Sequence, residues 1–163
     1  MKLWNYKGEQ NSITEALQLK LPEHAVISVT GAGGKTSLIF AWARELAATG
    51  KSVVITTTTH MYRPERMEEE GIRIVVSDDP KRPDKVTAPP EEVLEGLRET
   101  ADVVLVDGRI WTGSGDELIW KEAADTSLAV CRQDKADFYA IDKMMTDLQK
   151  NNTCFLGCIL YGF

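Results

Sequence analysis

Histidine and cysteine are scarce in this sequence, two and three residues among 163. Cys131, Cys154 and Cys158 form no Cys-x-x-Cys pair, and with so few scattered ligands a zinc site of ordinary spacing is excluded. Cys154 and Cys158 are expected on one face of a strand near the end of the chain, as small core residues. Long apolar runs are also missing. None approaches the roughly 20 residues that a membrane-spanning helix needs, and the first residues lack the apolar core of a signal peptide, so the cytoplasm is the expected compartment. Positive charge is in deficit: 19 Lys and Arg stand against 25 Asp and Glu, a net charge of −6. A phosphate backbone needs clustered basic residues, so a nucleic-acid partner is not expected. No internal repeat or low-complexity segment is present.

What remains is ordinary for a globular chain: 43% hydrophobic and 27% charged residues, at a length that suits one domain with a real core. A single nucleoside triphosphate-binding domain over residues 1–163 is expected, organised around Val26–Thr36. There Val26, Ile27 and Val29 read as a buried strand that runs into Gly31-Ala32-Gly33-Gly34-Lys35-Thr36-Ser37 and then a helix. Glycines at 31, 33 and 34 let backbone N–H groups turn inward around phosphate oxygens, where a Cβ would block the conformation. The following helix start adds unpaired donors and partial positive charge. Lys35 would lie against the β- and γ-phosphates and the Thr36 hydroxyl would ligate Mg²⁺. The eight-residue P-loop pattern wants a glycine where Val29 stands, so the loop is a shortened or altered P-loop.

Ser12 to Glu15 reads as a capping box opening a short helix to about Lys20, ended by Pro22 and packed over one edge of the sheet. After the glycine loop, Leu38, Ile39, Trp42, Ala43 and Leu46 recur at helical spacing and should face a sheet; Gly50 ends that helix. Val53-Val54-Ile55 is the next strand, completing a right-handed βαβ unit. Thr56 to Thr59 and His60 follow at the carboxyl end of this parallel strand, where such sheets bind ligands. The threonines either simply end the strand or form a responsive loop whose hydroxyls, those of Thr58 and Thr59 among them, reach the γ-phosphate, Mg²⁺ or a co-substrate. Glu68 to Glu70 suits a solvated helix face. Ile72–Val76 reads as a strand, and Asp78–Pro90, with four of the six prolines, as a long loop or lid. Pro89-Pro90-Glu91-Glu92 opens a helix to about Glu99.

Asp102–Asp107 is a buried strand that ends in an acid. A carboxylate there holds Mg²⁺ through its water shell, which makes Asp107 and Lys35 the candidate catalytic residues and Thr36 and Asp107 the candidate metal residues. Gly108–Gly115 would be a nucleotide-responsive loop. A helix over Asp116–Ala124, a strand over Ser127–Cys131, an amphipathic helix marked by Phe138, Ile141, Met145 and Leu148, and a strand over Cys154–Leu160 complete the chain. Alternating strands and helices predict a three-layer α/β/α sandwich on a mostly parallel sheet, the P-loop NTPase fold. Asp134-Lys135-Ala136-Asp137 departs from the guanine-reading Asn-Lys-x-Asp only at its first position; Asp137 could accept from guanine, or the segment is a charged helix start.

From Ser12 to about Gly108 the chain resembles the YqeC family, accessory proteins of selenium-dependent molybdenum hydroxylases, in Val29–Ser37, in Thr56–His60, and in Pro89-Pro90 leading into Ala101–Val106. The resemblance implies a P-loop protein that takes ATP or GTP with Mg²⁺ and helps mature a molybdenum enzyme or its cofactor, with a maturation partner; nucleotide-dependent dimerisation is common across such ATPases, so a homodimer is a further expectation. Val106-Asp107-Gly108 departs from the family's Glu-Ala-Asp-Gly segment. The last third is instead similar to MinD-like ATPases and capsule-type bacterial tyrosine kinases, in Ala124–Val130 and Leu156–Leu160. Three functions follow: an accessory NTPase, a small kinase or MinD-like ATPase, or a nucleotide-dependent (even vestigial) interaction module.

Overall fold

The computed structural model describes residues 3–5, 8–10, 12–57, 67–68, 70–75, 90–108, 123–132, 138–150 and 154–161. Its elements run β1 (Leu3–Asn5), β2 (Gly8–Gln10), α1 (Ile13–Ala16), β3 (Ala25–Ala32), α2 (Lys35–Ala48), β4 (Val53–Thr57), β5 (Ile72–Val75), α3 (Pro90–Arg98), β6 (Val103–Asp107), β7 (Thr126–Arg132), α4 (Phe138–Lys150) and β8 (Phe155–Tyr161). β1 and β2 pair antiparallel as a small separate ribbon. The other six strands form one sheet in the order β5-β4-β6-β3-β7-β8, and every pair in it is parallel.

Strands buried on both faces read as continuous apolar runs rather than alternating ones, and the middle of this sheet follows that rule. All five residues of β4 and all five of β6 are buried. On one face Leu38, Ile39, Trp42, Ala43 and Leu46 of α2 cover Ile27, Val29, Ile55, Leu105 and Leu128. On the other, Leu94 of α3 packs with Val26, Val54, Val104 and Val106, and Met144 of α4 with Ala129 and Cys131. Helices on both faces give the three-layer α/β/α sandwich expected. Gly50 takes φ 86° just past α2, as a helix-ending glycine should.

Three local expectations need correction. Ser12 caps α1, its hydroxyl accepting from Glu15 N at 2.9 Å. The helix nevertheless stops at Ala16 rather than near Lys20, because Gln18 turns left-handed at φ 53°. α1 is fastened to α2. The Glu45 carboxylate of α2 accepts from Ile13 N (2.6 Å), Thr14 N (3.0 Å) and the Thr14 hydroxyl (2.8 Å), and Trp42 Nε1 donates to the same hydroxyl at 3.0 Å. Glu68 and Glu70 are exposed and lie in turns leading to Gly71 at φ 76°, not on a helix; Glu69 lies outside the described residues. In β8, finally, Ser127 pairs with Phe155 but Leu128 pairs with Gly157, so Leu156 is an extra residue, a β-bulge. The bulge resets the alternation: Phe155 and Cys158 face α4 while Leu156 and Ile159 face the α2 side. Cys154, placed before the bulge, is exposed and does not share the face of Cys158.

The amino end of the sheet is closed by two acids. Asp125 accepts from Val26 N at 2.7 Å and takes both terminal nitrogens of Arg98 at 2.9 Å. Asp102 accepts from both the backbone N and the hydroxyl of Ser52 at 2.7 Å, and these two bonds hold its carboxyl below the usual range.

Candidate functional site

At the opposite, carboxyl end, β3 runs out into the glycine loop. Gly31 sits at φ 119°, and a Cβ there would lie 2.1 Å from the backbone oxygen of Val130 in β7. Both the dihedral and the space therefore demand glycine. Gly33 and Gly34 follow at φ 87° and φ 73°. Three left-handed glycines within four positions turn the backbone into α2, the geometry by which successive N–H groups form an anion-binding concavity.

The start of α2 is electrostatically odd for a helix that only has to fold. Gly34 is its N-cap and supplies no side-chain cap, and the first turn contains no acid. The first helical residue is Lys35 instead, a cation at the positive end of the dipole, which costs stability unless an anion is held there. The Lys35 ammonium folds back over the loop and donates to Gly31 O at 3.1 Å. Ser37 is exposed and Lys35 and Thr36 are half-buried, so the loop's outer rim meets solvent.

Asp107 ends β6 within reach of this helix start. Its Oδ2 accepts from the Thr36 hydroxyl at 2.8 Å. The residue is 4% exposed. Burial pushes its carboxyl above the usual range, against the opposing pull of the Thr36 hydrogen bond and the Lys35 charge. The register fixes its position: Val29 of β3 and Thr57 of β4 are its partners on the two sides. Gly108 N donates to Val29 O at 2.8 Å, clamping β6 to β3 immediately after the acid.

The fold thus brings Gly31, Ala32, Gly33, Gly34, Lys35, Thr36 and Ser37 into one loop-and-helix start, and brings Asp107 to Thr36. A hydroxyl and a carboxylate are hard oxygen donors, the kind that magnesium takes alongside water and phosphate oxygens. Among the described residues no cluster of three His, Cys, Asp or Glu could hold a metal by itself. Thr58, Thr59 and His60 lie outside the described residues, as do Asp78–Pro89, the loop from Arg109 to Gly115, residues 116–122 of the expected Asp116–Ala124 helix, and Asp134–Asp137; Ala123 and Ala124, the end of that helix, lie in a turn instead. Thr57, of the Thr56–Thr59 run, is buried beside Asp107, its hydroxyl donating to Asp107 O at 3.4 Å. Only strand pairing reveals that proximity; no spacing in the chain signals it.

The kinase domain of the Escherichia coli tyrosine kinase ETK superposes with a TM-score of 0.70 at 16% identity, over 91% of this chain and 75% of that one. The cell division ATPase MinD of Pyrococcus furiosus gives 0.66 at 18% identity, over 84% of this chain and 71% of that one. MinD of Pyrococcus horikoshii, solved with Mg-ADP, gives 0.62 at 17% identity, over 83% and 69%. These likenesses establish the P-loop NTPase fold. In sequence, the YqeC protein of Escherichia coli K12 is 67% identical over 39 residues, which are 24% of this chain and 15% of that relative's length. The family described as YqeC protein matches residues 27–109, just over half of the chain. The chain belongs to the YqeC family.

Proposed function

We propose that this YqeC-family chain binds a nucleoside triphosphate with Mg²⁺ at the carboxyl end of β3 and β6, as one nucleotide-binding domain. The observation that carries it is the Thr36–Asp107 hydrogen bond of 2.8 Å at the head of a helix that starts on Lys35 and lacks any acid in its first turn. In the proposed complex the loop from Gly31 to Gly34 and the backbone of Lys35 to Ser37 cradle the phosphates. Lys35, which here donates to Gly31 O, would place its ammonium against the β- and γ-phosphates. Thr36 and Asp107 would hold the cation, with Thr58 and Thr59 on the nucleotide side.

The donor set fits magnesium: hard oxygens, one of them a buried carboxylate whose charge a cation would compensate. A bound magnesium supplies neutralisation of the charge that develops on the phosphate oxygens. The chain's own residues supply position. The glycine cradle fixes the polyphosphate, Lys35 balances its charge, and the Thr36–Asp107 pair keeps the metal-facing oxygens in register with α2. The solved Mg-ADP complex of a structural neighbour and family membership support this reading, as does the cradle's intolerance of a side chain at Gly31.

At the cellular level we propose an accessory NTPase in the maturation of a selenium-dependent molybdenum hydroxylase or its cofactor. Calorimetry with ATP and GTP, each with Mg²⁺, tests the molecular step. The wild-type chain is expected to bind one of them and Lys35→Ala to lose that binding; equal affinity in the two chains would refute the assignment. A thermal-shift panel that adds CTP and molybdopterin nucleotides then identifies the base.

A further inference from the structure

We propose that Cys131 and Cys158 form a binding site for a soft monovalent cation, Cu(I), on the α4 side of the sheet, with the Met144 thioether as a third and weaker donor. The site is separate from the glycine loop, and the proposal does not rest on the nucleotide reading above.

The bulge in β8 creates the pair. Without Leu156 as an extra residue, Cys158 would pair with Val130 and share its face, the α2 side. The inserted residue pairs Cys158 with Ala129 instead. Register partners point to the same face, so the thiol lands on the side of Ala129 and Cys131. Gly157, at φ 140°, supplies the backbone freedom for the step. Bulges recur beside functional sites, where they re-aim a side chain. Here the side chain re-aimed is a thiol and its new neighbour is a second thiol, with the two Sγ atoms 3.5 Å apart.

That separation suits a bridging ion better than a covalent bond. The strand diagonal from Cys131 to Cys158 is about 7–8 Å, too wide for a disulfide in place. Metal–thiolate bonds of about 2.3 Å, the length zinc makes, put two sulfurs about 3.8–4.0 Å apart at tetrahedral to trigonal angles. The Cys131 and Cys158 sulfurs therefore need to part by no more than about half an ångström.

The donors select the ion. Cys131 and Met144 are buried together, and Cys158 packs against them. Thiolate and thioether ligands favour Cu(I). Zinc ordinarily takes four ligands, and among the described residues no group of three His, Cys, Asp or Glu surrounds this pair. Cys158 is half-buried on the outer strand β8, which gives an ion a way in from that margin. Burial, and then Cys131, push the Cys158 thiol up to about 12, so its proton leaves when a cation takes its place. The step involves no oxidation: Cu(I) binds two thiolates, their two protons go to solvent, and the copper keeps its charge.

The test titrates Cu(I), anaerobically and against a chromogenic chelator, into the Cys154→Ser chain, which lacks the exposed thiol. One ion per chain and about two protons released per ion are expected. In that background Cys131→Ala and Cys158→Ala should each weaken binding beyond the roughly 10–100-fold that loss of an outer-shell partner costs, and Met144→Leu should weaken it less. Thermal melts report whether each chain is folded. Copper X-ray absorption of the Cys154→Ser chain decides the matter even where an alanine variant does not fold, and sulfur neighbours alone are expected. A folded Cys131→Ala or Cys158→Ala chain with undiminished affinity overturns the proposal. So do nitrogen or oxygen neighbours in the copper spectrum, or a Cys154→Ser chain that takes no Cu(I) from the chelator. Unchanged affinity in Met144→Leu overturns the third donor alone. Lys35→Ala should bind Cu(I) as before, whatever it does to nucleotide.

Discussion

Thr36 and Asp107 stand 71 positions apart in the chain and are joined by one hydrogen bond of 2.8 Å. The bond links the head of the first long helix to the tail of a central strand, and it leaves a carboxylate almost wholly out of solvent. Every charged form of Asp107 is therefore a compromise between the fold and whatever binds there.

Burial raises the Asp107 carboxyl above its ordinary value. For an acid whose folded-state pKa is raised, the stabilising contribution is complete below the unfolded value and is lost as pH climbs through the folded one. Asp107→Asn keeps the shape and removes the charge. In the absence of Mg²⁺ it should melt above wild type at pH 7, and the gap should close as pH falls below the usual carboxylate range. Melting curves followed by circular dichroism across that range check this, and a D107N chain that melts lower at pH 7 would contradict it.

Gly31 and Gly50 are both left-handed, at φ 119° and φ 86°, but only Gly31 has backbone pressed against it. Gly50→Ala should cost about 1 kcal/mol, the ordinary penalty for a side chain in that conformation. Gly31→Ala adds a collision with Val130 O to a similar penalty and should cost more than about 3 kcal/mol. Urea midpoints of the two variants give the comparison; similar values would show that β7 yields easily.

Glu45 accepts three hydrogen bonds from Ile13 and Thr14 and so fastens α1 to α2. Glu45→Ala strips the partners from two helix-start N–H groups and should cost about 1–2 kcal/mol by denaturant unfolding. Glu45→Gln, which keeps an acceptor oxygen, should recover part of that loss. An E45A chain as stable as wild type would mean that apolar contacts of Ile13 alone hold α1 in place.

How much of this could be read in the chain depends on whether the cause was local. The glycine loop, the Lys35-Thr36 helix start and the acid closing an apolar run at Asp107 are each written in a few consecutive residues, and the structure has the elements where those residues place them. The Ser12 cap was legible for the same reason. Glu45 was not: its role depends on α1 folding back onto α2, which no periodicity encodes. The left-handed Gln18 is a tertiary choice by a residue with no strong preference for it, so the length of α1 was overestimated. The contact of Thr57 with Asp107, 50 positions away, comes only from strand pairing. Asp125 and Arg98 likewise meet only because β3, α3 and β7 bring their ends together.

The cysteines carry a prediction of their own. The Sγ atoms of Cys131 and Cys158 are 3.5 Å apart, and the Cys158 thiol is pushed up to about 12, first by burial and then by Cys131. Cys158 pairs with Ala129 and Cys131 with Leu160, a diagonal of about 7–8 Å between backbones that a disulfide does not span without movement. At pH 8 a thiol reagent should therefore modify exposed Cys154 quickly and the other two slowly, with all three reacting in urea. Rapid modification of Cys158 in the folded chain would contradict this.

The extra residue in β8 has an effect beyond moving two cysteines. Among the described strands, β8 forms one outer margin of the six-stranded sheet, and an unbroken margin invites a foreign strand to continue the ladder. Leu156 and Gly157 put a step in it, so the donors and acceptors of that margin fall out of phase with any straight neighbour. Even with Leu160 uncovered, the protein carries at this rim its own safeguard against growing into a fibre.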